Sequence, residues 1–272
     1  MILMASWCTA AVAQDCTYQP NYKEGYDAYY SGLWKELDVA TATWSCGQKY
    51  IEDMWDRFDF DKEDWDNGFG YSNPCDLDLP LGRTFNALML LAYGVQGGGT
   101  CTPDGNPNFA VGRYCWAGNE LDELDGRCGS GSASSGTRAH TEFFPVIADE
   151  YTELYWPFFY GESVVERAAT IVHEARHAHG LCQHEGNCPR GGSSCDPSYE
   201  DGCVGFGSGS GKGCNAYQVL YLSWFAYSAR DGWITQAIRD HAVFEANTIL
   251  ARAFEKDPCF RLASDGTSYM TC

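Results

Sequence analysis

Residues 162–180, ESVVERAATIVHEARHAHG, read as one helix with both ends marked. Ser163 followed by Glu166 is a capping-box pattern, the following residues are mostly good helix formers, and Gly180 stands where a left-handed C-terminal cap is favoured. At about 100° per residue, Val164, Ala168, Ile171, Val172, Ala175 and Ala178 gather on one side, while Glu166, Thr170, His173 and His177 line the other. Histidines four residues apart stack one turn above the other, so two imidazole nitrogens can reach one metal ion at about 2.0–2.1 Å. Glu174 is rotated by one step, which keeps it out of ligation but close enough to take a proton from a metal-bound water. With 6 histidines in 272 residues, an H-E-x-x-H run arises by chance about once in a hundred such chains, and here it also falls on a helix. The two histidines face away from the apolar stripe, and the pattern reads as a zinc site.

The rest of the chain bounds what that helix sits in. At 272 residues, 44% of them apolar, the chain can bury a substantial core as one domain, or as one domain with a large extension. Residues 1–13, MILMASWCTAAVA, are apolar and end in Ala11-Val12-Ala13, an A-x-A cleavage pattern, although the basic opening of a secretory signal is missing. They read as a signal peptide, with the mature chain beginning near Gln14 and the protein secreted. The 14 cysteines are dispersed and not confined to C-x-x-C pairs, which predicts disulfides and an oxidising compartment. Loss of Cys8 with the signal leaves 14 − 1 = 13 cysteines, an odd number. A net charge of −19 argues against nucleic acid and against anionic membranes, because both are bound through lysine and arginine. No later stretch is apolar for long enough to span a bilayer.

Residues 14–138 read as a Tyr-, Trp- and Asp-rich region of helices and loops, with helical pieces at 23–37 and 45–57 and a buried helix at 84–95. Asp59, Asp61, Glu63, Asp64 and Asp66 could offer oxygens to calcium, but the sixth position counted from Asp59 is Asp64, where an EF-hand needs glycine. A solvated acidic loop is therefore the favoured reading. Residues 96–138 read as a disulfide-held loop with a short strand at 109–114. Residues 139–272 carry the chemistry. Strands are predicted at 141–148 and 152–160, the second an edge strand or bulged because of Pro157, and able to take up an extended peptide. A cysteine-rich loop follows Gly180, then helices at 215–230 and 233–254, where His241 and Glu245 form a structural pair. His179 points toward the apolar side.

The HEARH run on its helix, with an aromatic strand before it, resembles the zincin metallopeptidases over about residues 152–180. That resemblance implies a catalytic domain with a mixed sheet and an active-site helix, so that the chain is expected to be α+β, and the residues before it read as a helical, disulfide-stapled N-terminal extension. The resemblance also implies Zn2+ held by His173 and His177, a protein or peptide substrate, and Glu174 as general base directing zinc-bound water at the peptide bond. The third ligand separates the subgroups. The metzincin pattern would put a histidine one residue before His184. No glutamate opens the later helix as in gluzincins. In the aspzincin pattern Cys214 stands where aspartate is expected, three residues before Tyr217. His184 is the first choice, because the chain must turn after Gly180 while still near the metal; Cys214, Asp196 and Asp201 are the alternatives. Tyr217 is the candidate oxyanion donor. The competing reading is a non-catalytic secreted binding or surface protein that retains the scaffold.

Overall fold

The computed structural model describes residues 48–65, 68–98, 101, 109–127, 138–143, 150–180, 214–253, 260–262 and 268–270. They form a mixed fold of helices and a small sheet. In chain order these are α1 (Gln48–Arg57), α2 (Lys62–Trp65), α3 (Pro80–Tyr93), α4 (Arg113–Glu120), β1 (Glu123–Gly126), β2 (Ala139–Phe143) and β3 (Glu150–Leu154). There follow α5 (Trp156–Gly161), α6 (Val164–Gly180), α7 (Cys214–Ser228) and α8 (Gln236–Ala253), then an antiparallel ribbon of β4 (Phe260–Leu262) and β5 (Ser268–Met270).

Proline at the first position starts α3, where its missing N–H would have had no helical partner in any case. Residues 80–92 of α3 are buried on every side, as expected of a helix whose surface is nearly all apolar. Gly82 makes that depth possible: a Cβ there would lie 2.1 Å from the Asp76 carbonyl oxygen. Helix α6 is the second central rod, with every residue from Val164 to Arg176 buried. It packs against α3, α4, α7, α8 and β2. Its start is the capping box expected from the sequence: the Ser163 N–H donates to Glu166 Oε2 at 2.7 Å, and the Glu166 N–H donates to Ser163 Oγ at 3.3 Å. Together such contacts satisfy two of the donors a helix start leaves open.

An aromatic cluster fills the space between α1, α2, α3 and α5. Phe60 meets Trp65 and Phe85 at centroid distances of 5.2 and 5.0 Å, and Phe69 stacks on Trp156 at 5.7 Å. The Trp65 indole N–H donates to the Leu124 carbonyl at 2.8 Å, tying this cluster to β1. The sheet has the order β1-β3-β2, with β1 parallel and β2 antiparallel to β3. In the antiparallel register Thr141 lies opposite Thr152.

Several expectations need correction. The strand at 109–114 is instead a turn leading into α4, started by Gly112 in the left-handed conformation at φ 78°. The region 96–138, expected to be loop, holds both α4 and β1. The strand predicted at 152–160 ends at Leu154, and Pro157 sits in the first turn of α5, a position that suits it equally well. Nor is β3 an edge strand: it is the middle of the three, so peptide addition along it is precluded. The helices expected at 45–57, 84–95, 215–230 and 233–254 are present as α1, α3, α7 and α8, with shifted ends. The predicted helix at 23–37, the signal peptide at 1–13 and the cysteine-rich loop after Gly180 lie outside the described residues. Cys101 and Cys115 form a disulfide, and Cys75 and Cys214 are also disulfide-bonded. No helix among the described residues is long and apolar enough to cross a membrane.

Candidate metal centre

The last turns of α6 bring His173 and His177 together as the four-residue spacing predicts. Their Nε2 atoms are 3.1 Å apart and their rings are inclined at 66° with centroids 4.8 Å apart. Two ligand nitrogens on a tetrahedral zinc, each about 2.0–2.1 Å from it, are separated by about 3.3 Å. The pair therefore fits one edge of a zinc coordination tetrahedron. His173 is buried and His177 partly so.

Glu174 lies one step round the same helix, also buried. The strands meet it there. Thr141 on β2 donates its hydroxyl to Glu174 Oε2 at 2.8 Å, and the same Thr141 oxygen lies 2.8 Å from the hydroxyl of Thr152 on β3. With the Thr141 proton committed to the carboxylate, Thr152 supplies the proton of the second bond. Burial pushes the Glu174 carboxyl up to about 7, against the pull of the Thr141 hydroxyl and backbone N–H. A carboxyl that titrates near neutrality can accept and return a proton there. No sequence signal marked Thr141 or Thr152; the strand register sets Thr152 beside Thr141, and the packing of β2 on α6 brings Thr141 to Glu174.

Cys214, at the start of α7, is fully buried, with its Sγ 3.4 Å from His177 Nδ1. One atom each of His173, His177 and Cys214 fall within 4.8 Å of one another. However, Cys214 is disulfide-bonded, and a bonded sulfur is not the thiolate that zinc takes. Its 3.4 Å contact is also to Nδ1, the other nitrogen of the His177 ring. His184, Asp196 and Asp201 lie outside the described residues. Tyr217, one turn along α7 from Cys214, is placed in a stack: its ring meets Phe109 at 5.1 Å and Trp116 at 5.6 Å, and the Arg176 guanidinium lies 4.9 Å from its centroid. His179 does not turn toward the apolar side. It is half exposed and pairs with Glu120 at 2.8 Å.

Two other ionisable groupings are internal ties. His241 of α8 pairs with Glu166 of α6 at 3.2 Å, with Glu245 close by, so the pair expected within α8 reaches across to the capping glutamate. Burial would lower His241, but the Glu166 hydrogen bond and charge, with Glu245, raise it. Burial would raise Glu166, but His241 and Ser163 bring it below the ordinary value. In the acidic stretch Asp59 and Glu63 are exposed as expected, whereas Asp64 binds Arg127, which also takes Asp125 and Glu153. The guanidinium offsets those three carboxylates.

No protein-family model matches the chain, and no curated protein or solved structure is similar to it.

Proposed function

We propose that the chain is a secreted zinc endopeptidase with a zincin-like active-site helix. The observation that carries this reading is the pairing of two imidazole nitrogens 3.1 Å apart with a buried carboxyl, raised to about 7, on the same helical turn. His173 and His177 would hold zinc through Nε2, and His184 is the proposed third ligand. Bound zinc would supply a Lewis acid that polarises the scissile carbonyl.

The chain's own residues do the proton work. Glu174 accepts a proton from the attacking water as the new C–O bond forms, and passes it to the departing amine as the C–N bond breaks. One water is consumed and the carboxylate is restored. Thr141 fixes the carboxyl by one oxygen and opposes the effect of burial, so that the carboxylate is populated near neutral pH. Tyr217 is the proposed donor to the developing oxyanion. The disulfides of Cys75, Cys101, Cys115 and Cys214 support export.

Metal content and hydrolysis of a casein-type substrate test the reading together. Purified protein is expected to carry about one zinc per chain and to cut the substrate. Glu174→Gln should keep the zinc and lose about a thousandfold in activity, whereas His173→Ala and His177→Ala should lose both. Full zinc occupancy in either histidine variant, or a zinc-loaded wild type that cuts nothing, would overturn the proposal.

A further inference from the structure

Arg176 sits inside the motif, between Glu174 and His177, and is 8% exposed. Its Nε is buried without a hydrogen-bond partner, and its guanidinium lies over the Tyr217 ring. Among the described residues it forms no ion pair, in a chain with 37 acidic residues and 18 basic ones. Three other arginines meet carboxylates: Arg138 pairs with Glu162, Arg239 with Asp231, and Arg127 with Asp64, Asp125 and Glu153. Burying a guanidinium with no anion is costly, and stacking on a tyrosine recovers only part of that cost. A stacked guanidinium keeps its donors in one plane at the rim of the ring, the arrangement that receives a carboxylate through two parallel hydrogen bonds.

A second guanidinium stands on the same aromatic stack. Arg113 lies over Phe109 and Trp116, at 4.5 and 5.1 Å from their ring centroids, and both rings contact Tyr217. An acidic chain has thus placed two guanidiniums on one aromatic stack. That stack adjoins the histidine pair, since Arg176 directly precedes His177 and Tyr217 is one turn from Cys214.

We propose that Arg176 is a specificity-determining residue that receives a carboxylate of the peptide substrate, from an acidic side chain or from the C-terminus. This rests on the peptidase reading above, and the test separates the two. Peptides identical except for Glu against Gln, and for a free C-terminal carboxylate against an amide, are titrated into full-length Glu174→Gln protein by calorimetry. The same peptides are offered to zinc-loaded wild type for hydrolysis.

The carboxylate-bearing member of one pair is expected to bind about tenfold more tightly, and which pair shows the difference identifies the source. Arg176→Gln, added to the Glu174→Gln background, should bring the ratio close to one, and Arg176→Lys should restore part of it. The wild-type comparison of paired peptides stands even if an Arg176 variant fails to fold. Equal binding within both pairs, or a ratio unchanged in Arg176→Gln, refutes the role of Arg176, and continued hydrolysis then leaves the peptidase reading standing. Tighter carboxylate binding through Arg176 without hydrolysis of any peptide refutes the peptidase reading and with it a substrate role for the site, leaving an anion-binding protein.

Discussion

Thr141 illustrates how a single hydroxyl sets the chemistry of a carboxyl 33 positions away in sequence. A hydrogen bond to a charged group is worth about 1.5–3 kcal/mol, and removing this one leaves only the Thr141 backbone N–H to oppose burial. Thr141→Val is therefore expected to raise the Glu174 pKa, moving the acidic limb of the activity profile to higher pH. Activity at pH 6 should fall by about tenfold while the alkaline plateau changes little. An unshifted limb in a pH–rate profile would remove Thr141 from the site. At this scale the sequence was legible where chemistry follows from local spacing, as for His173, Glu174 and His177 on one helix. It was silent where the partner comes from another element. Neither Thr141 nor the stacking of Arg176 on Tyr217 leaves a pattern in the chain, because tertiary contact alone creates both. His179 follows the same rule: the helical wheel points it toward the apolar side, but Glu120 of a neighbouring helix gives it a polar partner at the surface.

The capping glutamate of α6 has two tasks, closing the helix start and pairing with His241 of α8. The pair has a defined pH window. Glu166 is lowered below its ordinary 4.5, so the stability it contributes is present above 4.5 and is lost as pH falls through the folded value. His241 is raised above its ordinary 6.5, so its contribution is complete below 6.5 and is lost as pH rises through the folded value. His241→Gln should accordingly cost about 3 kcal/mol between pH 4.5 and 6.5, and less on either side. Urea denaturation across pH measures this, and a difference independent of pH would dissolve the pair. Ser163→Ala should cost about 1 kcal/mol by loss of the cap, read in the same experiment. Long elements with strong periodicity or caps were legible in the sequence: α3, α6, α7 and α8 were all foreseen. Short ones were not. The aromatic run 155–160 has strand composition yet forms α5, because Pro157 suits a first helical turn as well as a strand edge and packing on Phe69 decides between them. The apolar residues before Tyr114 likewise suggested a strand, but the left-handed Gly112 breaks the chain direction and α4 begins there.

One apolar core runs from Met54 to Leu250 and draws on α1 and α8 alike. Unfolding of the described body is expected to be a single transition, with tryptophan fluorescence and helical circular dichroism changing together. Separated midpoints would show that the aromatic cluster and the helices around α6 fold independently. The Cys101–Cys115 disulfide joins a loop to α4 across 14 positions; a closed loop of that length stabilises by about 3 kcal/mol through the unfolded chain. Replacing both cysteines by serine should lower the denaturation free energy by about that amount, and an unchanged value would mean that the bridge only follows the fold. The connectivity of such bridges cannot be read from a chain with 14 cysteines, whereas the presence of a large core could be read from length and apolar content. Helix α6 is enclosed by α3, α4, α7, α8 and β2, and this has a consequence for isotope exchange. Its amides between about residues 168 and 176 have no local route to solvent, so their deuterium uptake should follow the opening of the whole molecule. The histidine-bearing turn would then be among the last segments to label, with or without metal. On the zinc reading proposed above, ion exchange would use the partly exposed His177 end of the helix.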